Sequence, residues 1–141
     1  MWVRLLTLAD CDNLDATFGK VGGDIDPRAE LSQPLTQGWV AHELPAELLG
    51  FALGWWVVDE LQLIWIGTRT EHRRRGVGRA LLDQVVADVR GLGGRRVLLE
   101  VSRDNVAAIA LYERNGFSVM RVRPAYYRKT GQDALEMELV L

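Results

Sequence analysis

Arg73-Arg74-Arg75-Gly76-Val77-Gly78-Arg79 runs straight into Ala80-Leu81-Leu82-Asp83-Gln84-Val85-Val86-Ala87-Asp88-Val89. The second half of this stretch is helical in its spacing. Val77, Leu81, Leu82, Val85, Val86 and Val89 recur three and four residues apart and form one apolar stripe. The first half is a loop at that helix's start. Backbone N–H groups there have no partner within the helix, and the helix dipole favours an anion beside them. Gly76 and Gly78 omit side chains that would block a phosphate, and arginine supplies charge-assisted hydrogen bonds. A solvated arginine turn is the alternative reading of the same spacing. Two other phosphate loops are excluded: the Gly-Lys-Ser/Thr of a Walker A loop is missing, and the third glycine of a Rossmann fingerprint falls on Leu81.

Working outward, residues 2–6 read as a strand and residues 7–18 as a helix with Thr7 or Asp10 near its start. Residues 19–26 are glycine-rich and polar, hence a loop. Pro27 opens a short helix expected to reach residue 35. Strands follow over 39–43, 47–58 and 60–68, separated by a Pro45 turn and a Val58-Asp59 turn. Their apolar and β-branched content supports them better than strict alternation does. Three strands with short links predict an antiparallel meander. Beyond the striped helix, Gly91, Gly93 and Gly94 form a stop, residues 96–101 a strand, and residues 106–114 a helix. Asn105 suits its N-cap, and Asn115-Gly116 its left-handed end. Residues 117–126 and 134–141 read as two last strands joined by a loop with Lys129 and Gly131. The strand–helix–strand unit predicts two parallel neighbours inside a mixed sheet. The expected class is α/β of the α+β type, in one domain over residues 1–141.

Composition narrows the function. The chain has 141 residues, a formal net charge of −2 and an ordinary balance of 48% apolar and 26% charged residues. A negative total argues against a coat for nucleic acid. The positive charge is nonetheless local, with His72 and Arg79 beside the three arginines, and it points to a small anionic ligand. Cys11 is the only cysteine, which excludes an intramolecular disulfide and a thiolate metal cluster. His42 and His72 are too few and too scattered for metal chemistry, so no metal is expected. No signal segment opens the chain and no apolar run nears the roughly 20 residues that span a bilayer, so a cytoplasmic setting without a membrane partner is expected. Glu100 stands in the otherwise apolar Val97-Leu98-Leu99-Glu100-Val101. A carboxylate there lies at the strand's exposed end or is kept for a task, because burying it is costly.

The run from Ile66 through Leu82 resembles the pyrophosphate-binding motif of GNAT acetyltransferases, Arg/Gln-x-x-Gly-x-Gly/Ala, which Arg73-Arg74-Arg75-Gly76-Val77-Gly78 matches. The likeness continues through Leu99-Glu100-Val101, Asn105, Ala107-Ala108-Ile109-Ala110-Leu111-Tyr112-Glu113 and Asn115-Gly116-Phe117. Arg123-Pro124-Ala125-Tyr126-Tyr127 and Asp133-Ala134-Leu135-Glu136-Met137 are similar to a narrower group. These are the RimI-type enzymes, which acetylate the N-terminal alanine of a ribosomal protein. The resemblance covers roughly residues 47–141. It implies a GNAT fold, whose mostly antiparallel sheet splays between two parallel strands, and acetyl-CoA as co-substrate. Ile66, Gly67 and Thr68 are then expected to pair with the pantetheine amides in the manner of an added strand, with Gly67 allowing close approach. Arg74, Arg75, Gly76, Val77, Gly78 and Arg79 are expected at the pyrophosphate.

The same resemblance makes Glu100 the general base, acting through water and raised in pKa by apolar surroundings. It makes Tyr112 the acid that protonates the departing sulfur, although a tyrosine at that helical spacing also reads as core. Asn105 is expected to hydrogen-bond the cofactor as well as cap its helix, and Tyr126 and Tyr127 to line an acceptor groove or pack along the last hairpin. Three departures concern the acceptor. The Pro-Trp-Ser segment usual between the first two helices is absent from residues 19–34, Ala125 replaces a usual asparagine, and Trp65 stands where smaller residues are common. The acceptor is therefore open among a protein N-terminus, a lysine and a small amine, with the N-terminal α-amine favoured. A non-catalytic acyl-CoA-binding module is the other class, and whether the chain is a monomer or a homodimer is left open.

Overall fold

The computed structural model describes residues 1–18, 25–44, 47–69 and 75–141. β1 (Trp2–Leu5) leads into a single 3-10 turn (Leu8–Asp10), and only then does α1 (Cys11–Phe18) begin. The helix expected from residue 7 therefore starts late. Asp10 is the reason for the tighter first turn. Its carboxylate accepts from the Thr7 N–H at 2.9 Å and from both terminal nitrogens of the Arg4 guanidinium at 2.8 Å. Those charge-assisted bonds hold the Asp10 carboxyl down at about 2.

α2 (Pro27–Leu31) stops well short of residue 35. Pro34 explains this, since the residue before a proline is driven out of the helical region. Pro34 and Leu35 make a turn instead, closed by the Thr36 N–H on the Gln33 carbonyl at 3.2 Å. β2 (Thr36–His42) consequently begins earlier than expected. Gly38, just ahead of the strand expected from residue 39, lies inside it, packed so closely that an added Cβ would sit 2.9 Å from Leu6. The loop over residues 19–24 and the Pro45 turn lie outside the described residues.

β2, β3 (Leu48–Val57) and β4 (Glu60–Thr68) form the expected antiparallel meander. β3 lacks alternation because helices cover both of its faces. Leu49 and Ala52 join the core beneath α3 (Val77–Gly91), while Leu48, Phe51 and Leu53 pack with Leu14 of α1 and Leu31 of α2. The α3 stripe is buried at Val77, Leu81, Leu82, Val85 and Val89. The buried Trp39 indole donates to Asp88 of α3 at 2.8 Å, which fixes the helix across the sheet. β5 (Arg96–Ser102), α4 (Val106–Arg114), β6 (Ser118–Tyr127) and β7 (Gln132–Val140) complete the chain. Among the described residues the sheet has seven strands in the order β1-β2-β3-β4-β5-β7-β6, with only β4 and β5 parallel.

The turn between β3 and β4 carries a local cost. Val58 has φ +58° and is 95% exposed. A β-branched residue in the left-handed region is strained, and this one gains no burial in return. Val58→Gly is expected to raise stability by about 1 kcal/mol after allowing for glycine's greater unfolded-state entropy, or roughly 3 °C in Tm. An unchanged or lower melting temperature would show that the turn carries no such strain.

Candidate active site

β4 and β5 start together and then part. Their parallel ladder runs from Glu60 opposite Arg96 to Leu63 opposite Leu99 and stops there, although β4 continues to Thr68 and β5 to Ser102. Arg96 fastens the closed end by donating to Glu60 of β4 and to Glu138 of β7, each at 2.7 Å. The parting point coincides with an irregularity on β4. Leu63 is opposite Gly54 and Trp65 is opposite Leu53, so Ile64 is an extra residue. A bulge of this kind bends and twists its strand. Past it, the edge of β4 that faced β5 has no ladder partner among the described residues.

A cavity of about 280 Å³ occupies the gap. Ile66 of β4, Glu100 of β5, Asn105 and Tyr112 at α4, and Tyr127 of β6 all line it. Asn105 caps α4, its side-chain oxygen accepting the Ala108 N–H at 3.2 Å. Tyr112 is buried, its ring 5.9 Å from that of Phe117. Burial pushes its phenol up to about 12, with neighbouring Tyr127 adding to the effect. The hydroxyl therefore stays protonated at neutral pH.

Glu100 lies in polar surroundings, not the apolar ones expected. Its side chain is 35% exposed, and its Oε1 lies 3.9 Å from Nε of Arg123. The carboxylate also holds the phenol of Tyr126 above its ordinary value. Tyr126 sits beneath the Arg123 guanidinium, 5.5 Å from it, and edge-on to Tyr127 at 5.2 Å. Ala125 has φ +49°, the left-handed region where asparagine is far better tolerated than alanine. That is a physical reason why the asparagine that the resemblance leads one to expect here would suit the position.

The arginine–glycine loop is described from Arg75 onward, and Arg74 lies outside the described residues, as do His72 and Arg73. Gly76 is the N-cap of α3 with φ +79°, and a Cβ there would meet nothing within 4 Å. Its glycine is a matter of backbone conformation. Gly78 differs, because a Cβ would approach Leu111 of α4 at 3.2 Å, so this glycine lets the two helices meet. Val77 turns its side chain into the core, leaving only its backbone to face a ligand. Arg79 is exposed and 3.9 Å from Asp83. Ile66 packs against the core under α3, and Thr68 lies opposite Gly50 of β3. Gly67 accommodates a side chain, since its missing Cβ would lie 2.9 Å from the Trp65 indole.

Three residues were given no role from the sequence, although Arg123 and Glu136 stand in the segments that resemble the RimI-type enzymes. Glu136, buried and directly opposite Glu100 on β7, accepts from Arg121 at 2.8 and 3.0 Å and pairs with Arg123 at 2.6 Å. Glu136 carries only a weaker form of the signal that singled out Glu100, since its strand Gln132–Val140 holds two other carboxylates, Asp133 and Glu138. Arg121 and Arg123 carry no local signal and become meaningful only once β6 is laid beside β7.

Comparison with known proteins agrees with this fold. The model of the acetyltransferase (GNAT) family matches residues 8–117. The ribosomal protein bS18 alanine N-acetyltransferase of Escherichia coli is 38% identical over 95 residues, covering 66% of this chain and 64% of the relative. The alignment thus spans just under two thirds of that relative's length. N-alpha-acetyltransferase RimI of Mycobacterium tuberculosis is 36% identical over 145 residues, covering 96% of this chain and 89% of the relative. A crystal structure of the ribosomal-protein alanine N-acetyltransferase from Escherichia coli aligns with a TM-score of 0.86 and 26% identity, over 99% of this chain and 92% of that one. With a family match running from the first helical turn to the start of β6, and a sheet that opens between β4 and β5, the chain belongs to the acetyltransferase (GNAT) family.

Proposed function

We propose that this chain is an acetyl-CoA-dependent N-acetyltransferase acting in the cytoplasm on the N-terminal α-amine of a protein. The observation that carries the reading is the parting of β4 and β5, which brings Glu100 from a strand and Tyr112 from a helix onto one cavity. The residues present fit the cofactor. Among the described residues the β4 edge past Leu63 has no ladder partner, so an amide-bearing chain can pair with it, and Gly76 opens α3 in the left-handed conformation with no side chain over it. Ile66, Gly67 and Thr68 would hold the pantetheine, and Arg74 to Arg79 with the α3 N-terminus the pyrophosphate. When bound, acetyl-CoA supplies the acetyl group as a thioester.

The chain's own side chains then handle protons. An α-ammonium with pKa about 8 must lose one proton before its nitrogen can attack, and Glu100, directly or through a water, accepts it. Tyr112 is a protonated phenol in the same cavity and donates to the departing sulfur. Both residues being present on one cavity disfavours a module that binds without turnover. An α-amine is about 10% neutral at pH 7, whereas a lysine amine near 10.4 is neutral at well under 0.1%. A single carboxylate base suits the former. The two relatives compared by sequence are named as a ribosomal-protein alanine N-acetyltransferase and an N-alpha-acetyltransferase, which supports the same acceptor class, with a ribosomal protein as one candidate.

The test is a mass-spectrometric competition with acetyl-CoA among free N-terminal peptides, lysine peptides with blocked N-termini, and polyamines. The α-amine peptides are expected to be acetylated fastest. Faster modification of blocked lysine peptides or of polyamines would move the acceptor to a lysine or a small amine while leaving the cofactor site standing.

A further inference from the structure

Glu100 and Glu136 are directly opposed on β5 and β7 and share a face of the sheet. Two like charges so placed repel, and here two guanidinium groups from β6 separate and compensate them. The compensation is uneven. Arg121 binds Glu136 with two hydrogen bonds. Arg123 lies between the carboxylates, with Nε 2.6 Å from Glu136 and 3.9 Å from Glu100. Its Nε is buried, and despite the short approach it makes no hydrogen bond of proper geometry to either. Both cations are therefore drawn toward the carboxylate that does not line the cavity, and away from the one that does.

We propose that Arg123 and Glu136 are positioning residues that set the proton affinity of Glu100: Glu136 draws the Arg123 guanidinium aside and leaves Glu100 able to take the acceptor's proton. The inference rests on the reading of Glu100 as base. In the step itself one N–H proton of the acceptor ammonium passes to a Glu100 carboxylate oxygen, and the nitrogen keeps the electron pair with which it attacks. Among the described residues, the titratable groups facing Glu100 are Arg121, Arg123, Tyr126 and Tyr127 of β6, Glu136 of β7 and, across the cavity, Tyr112 of α4. The stretch of β4 beside it, Ile64 to Ile66, holds none. Of the ionised members of this set, only the two arginines and Glu136 bear charge at neutral pH, so removing one charge at a time moves Glu100 in a known direction.

The experiment is the pH profile of kcat, measured with saturating acetyl-CoA and a free N-terminal peptide. In Glu136→Gln both guanidinium groups are left to Glu100, and the acid limb is expected to move down by about one pH unit. In Arg123→Gln the carboxylates face each other with one cation fewer, and the limb is expected to move up by a similar amount. Arg123→Lys, which keeps the charge, should restore the wild-type limb. Limbs that do not move, or that move together, would overturn the proposal and leave the cluster a structural one. If Arg123→Gln does not fold, the downward shift in Glu136→Gln decides alone. Glu100→Gln separates the two levels. If it keeps the wild-type profile, the base assignment fails and takes this inference with it. If it removes the acid limb while the other variants leave theirs unmoved, only the inference fails.

Discussion

Tyr112→Phe is expected to lower turnover by about 10²–10⁴-fold, the range for losing a positioned general acid. The substitution is clean because the ring's position does not depend on the hydroxyl. Tyr112 is buried from α4 and packed on Phe117, and phenylalanine keeps that contact. Removing one oxygen from the cavity wall touches neither the β4 edge nor the start of α3, so the dissociation constant for acetyl-CoA should hardly change. The melting temperature should hardly change either. A phenol pushed up to about 12 stays protonated well above neutral pH, and so it acts as a donor throughout the working range. Rapid-quench measurement of acetyl-peptide formation checks the chemical step itself. A variant that retains most of its single-turnover rate would remove Tyr112 from the mechanism.

The sheet was legible in the sequence to the extent that its strands are separated by strong local signals. Periodicity alone located α3, and the glycines after it located its end, because a stripe six residues strong leaves no other conformation that buries it. Boundaries failed where a distant contact decides them. The first helix is tightened by Arg4, which belongs to β1, and β2 begins early because Thr36 and Gln37 find partners on β3. Neither contact is visible within the segment it alters. The two-faced burial of β3 was hinted at by its missing alternation, but which helices cover which face is a matter of topology.

The site was legible in its parts and not in its arrangement. The Gly76 loop, Glu100 and Tyr112 each carry a local mark, and the family resemblance supplied the roles proposed for them. The separation of β4 from β5 is different in kind. Only the family resemblance led to its expectation; it coincides with an extra residue at Ile64, and Leu63-Ile64-Trp65-Ile66 reads as an unbroken apolar strand with nothing to announce a bulge. The glycines, expected to leave room for a phosphate or a second backbone, also answer to causes the local sequence does not give: Gly76 adopts a left-handed backbone conformation, while Gly78 and Gly67 yield space to Leu111 and Trp65. The polar setting of Glu100 likewise comes from β6 and β7, remote in sequence, so its own strand suggested an apolar environment that the fold does not provide.

Gly76→Asp tests the cofactor cleft itself. The position has open space where a Cβ would go, so an aspartate fits without collision, and the left-handed conformation costs it only about 1–2 kcal/mol. The protein should stay folded. Its new carboxylate, however, stands at the start of α3, where the proposed pyrophosphate would lie, and like charges brought together at a binding site cost several kcal/mol. Affinity for acetyl-CoA should fall by about 100-fold or more. The decisive measurement is calorimetric titration of acetyl-CoA into the wild-type chain and into Gly76→Asp, with circular dichroism confirming that both are folded. Saturable one-site binding by the wild type that is lost or severely weakened in the variant is the predicted result. Equal affinity in the two proteins would contradict the placement of the cofactor between β4 and β5 at the start of α3.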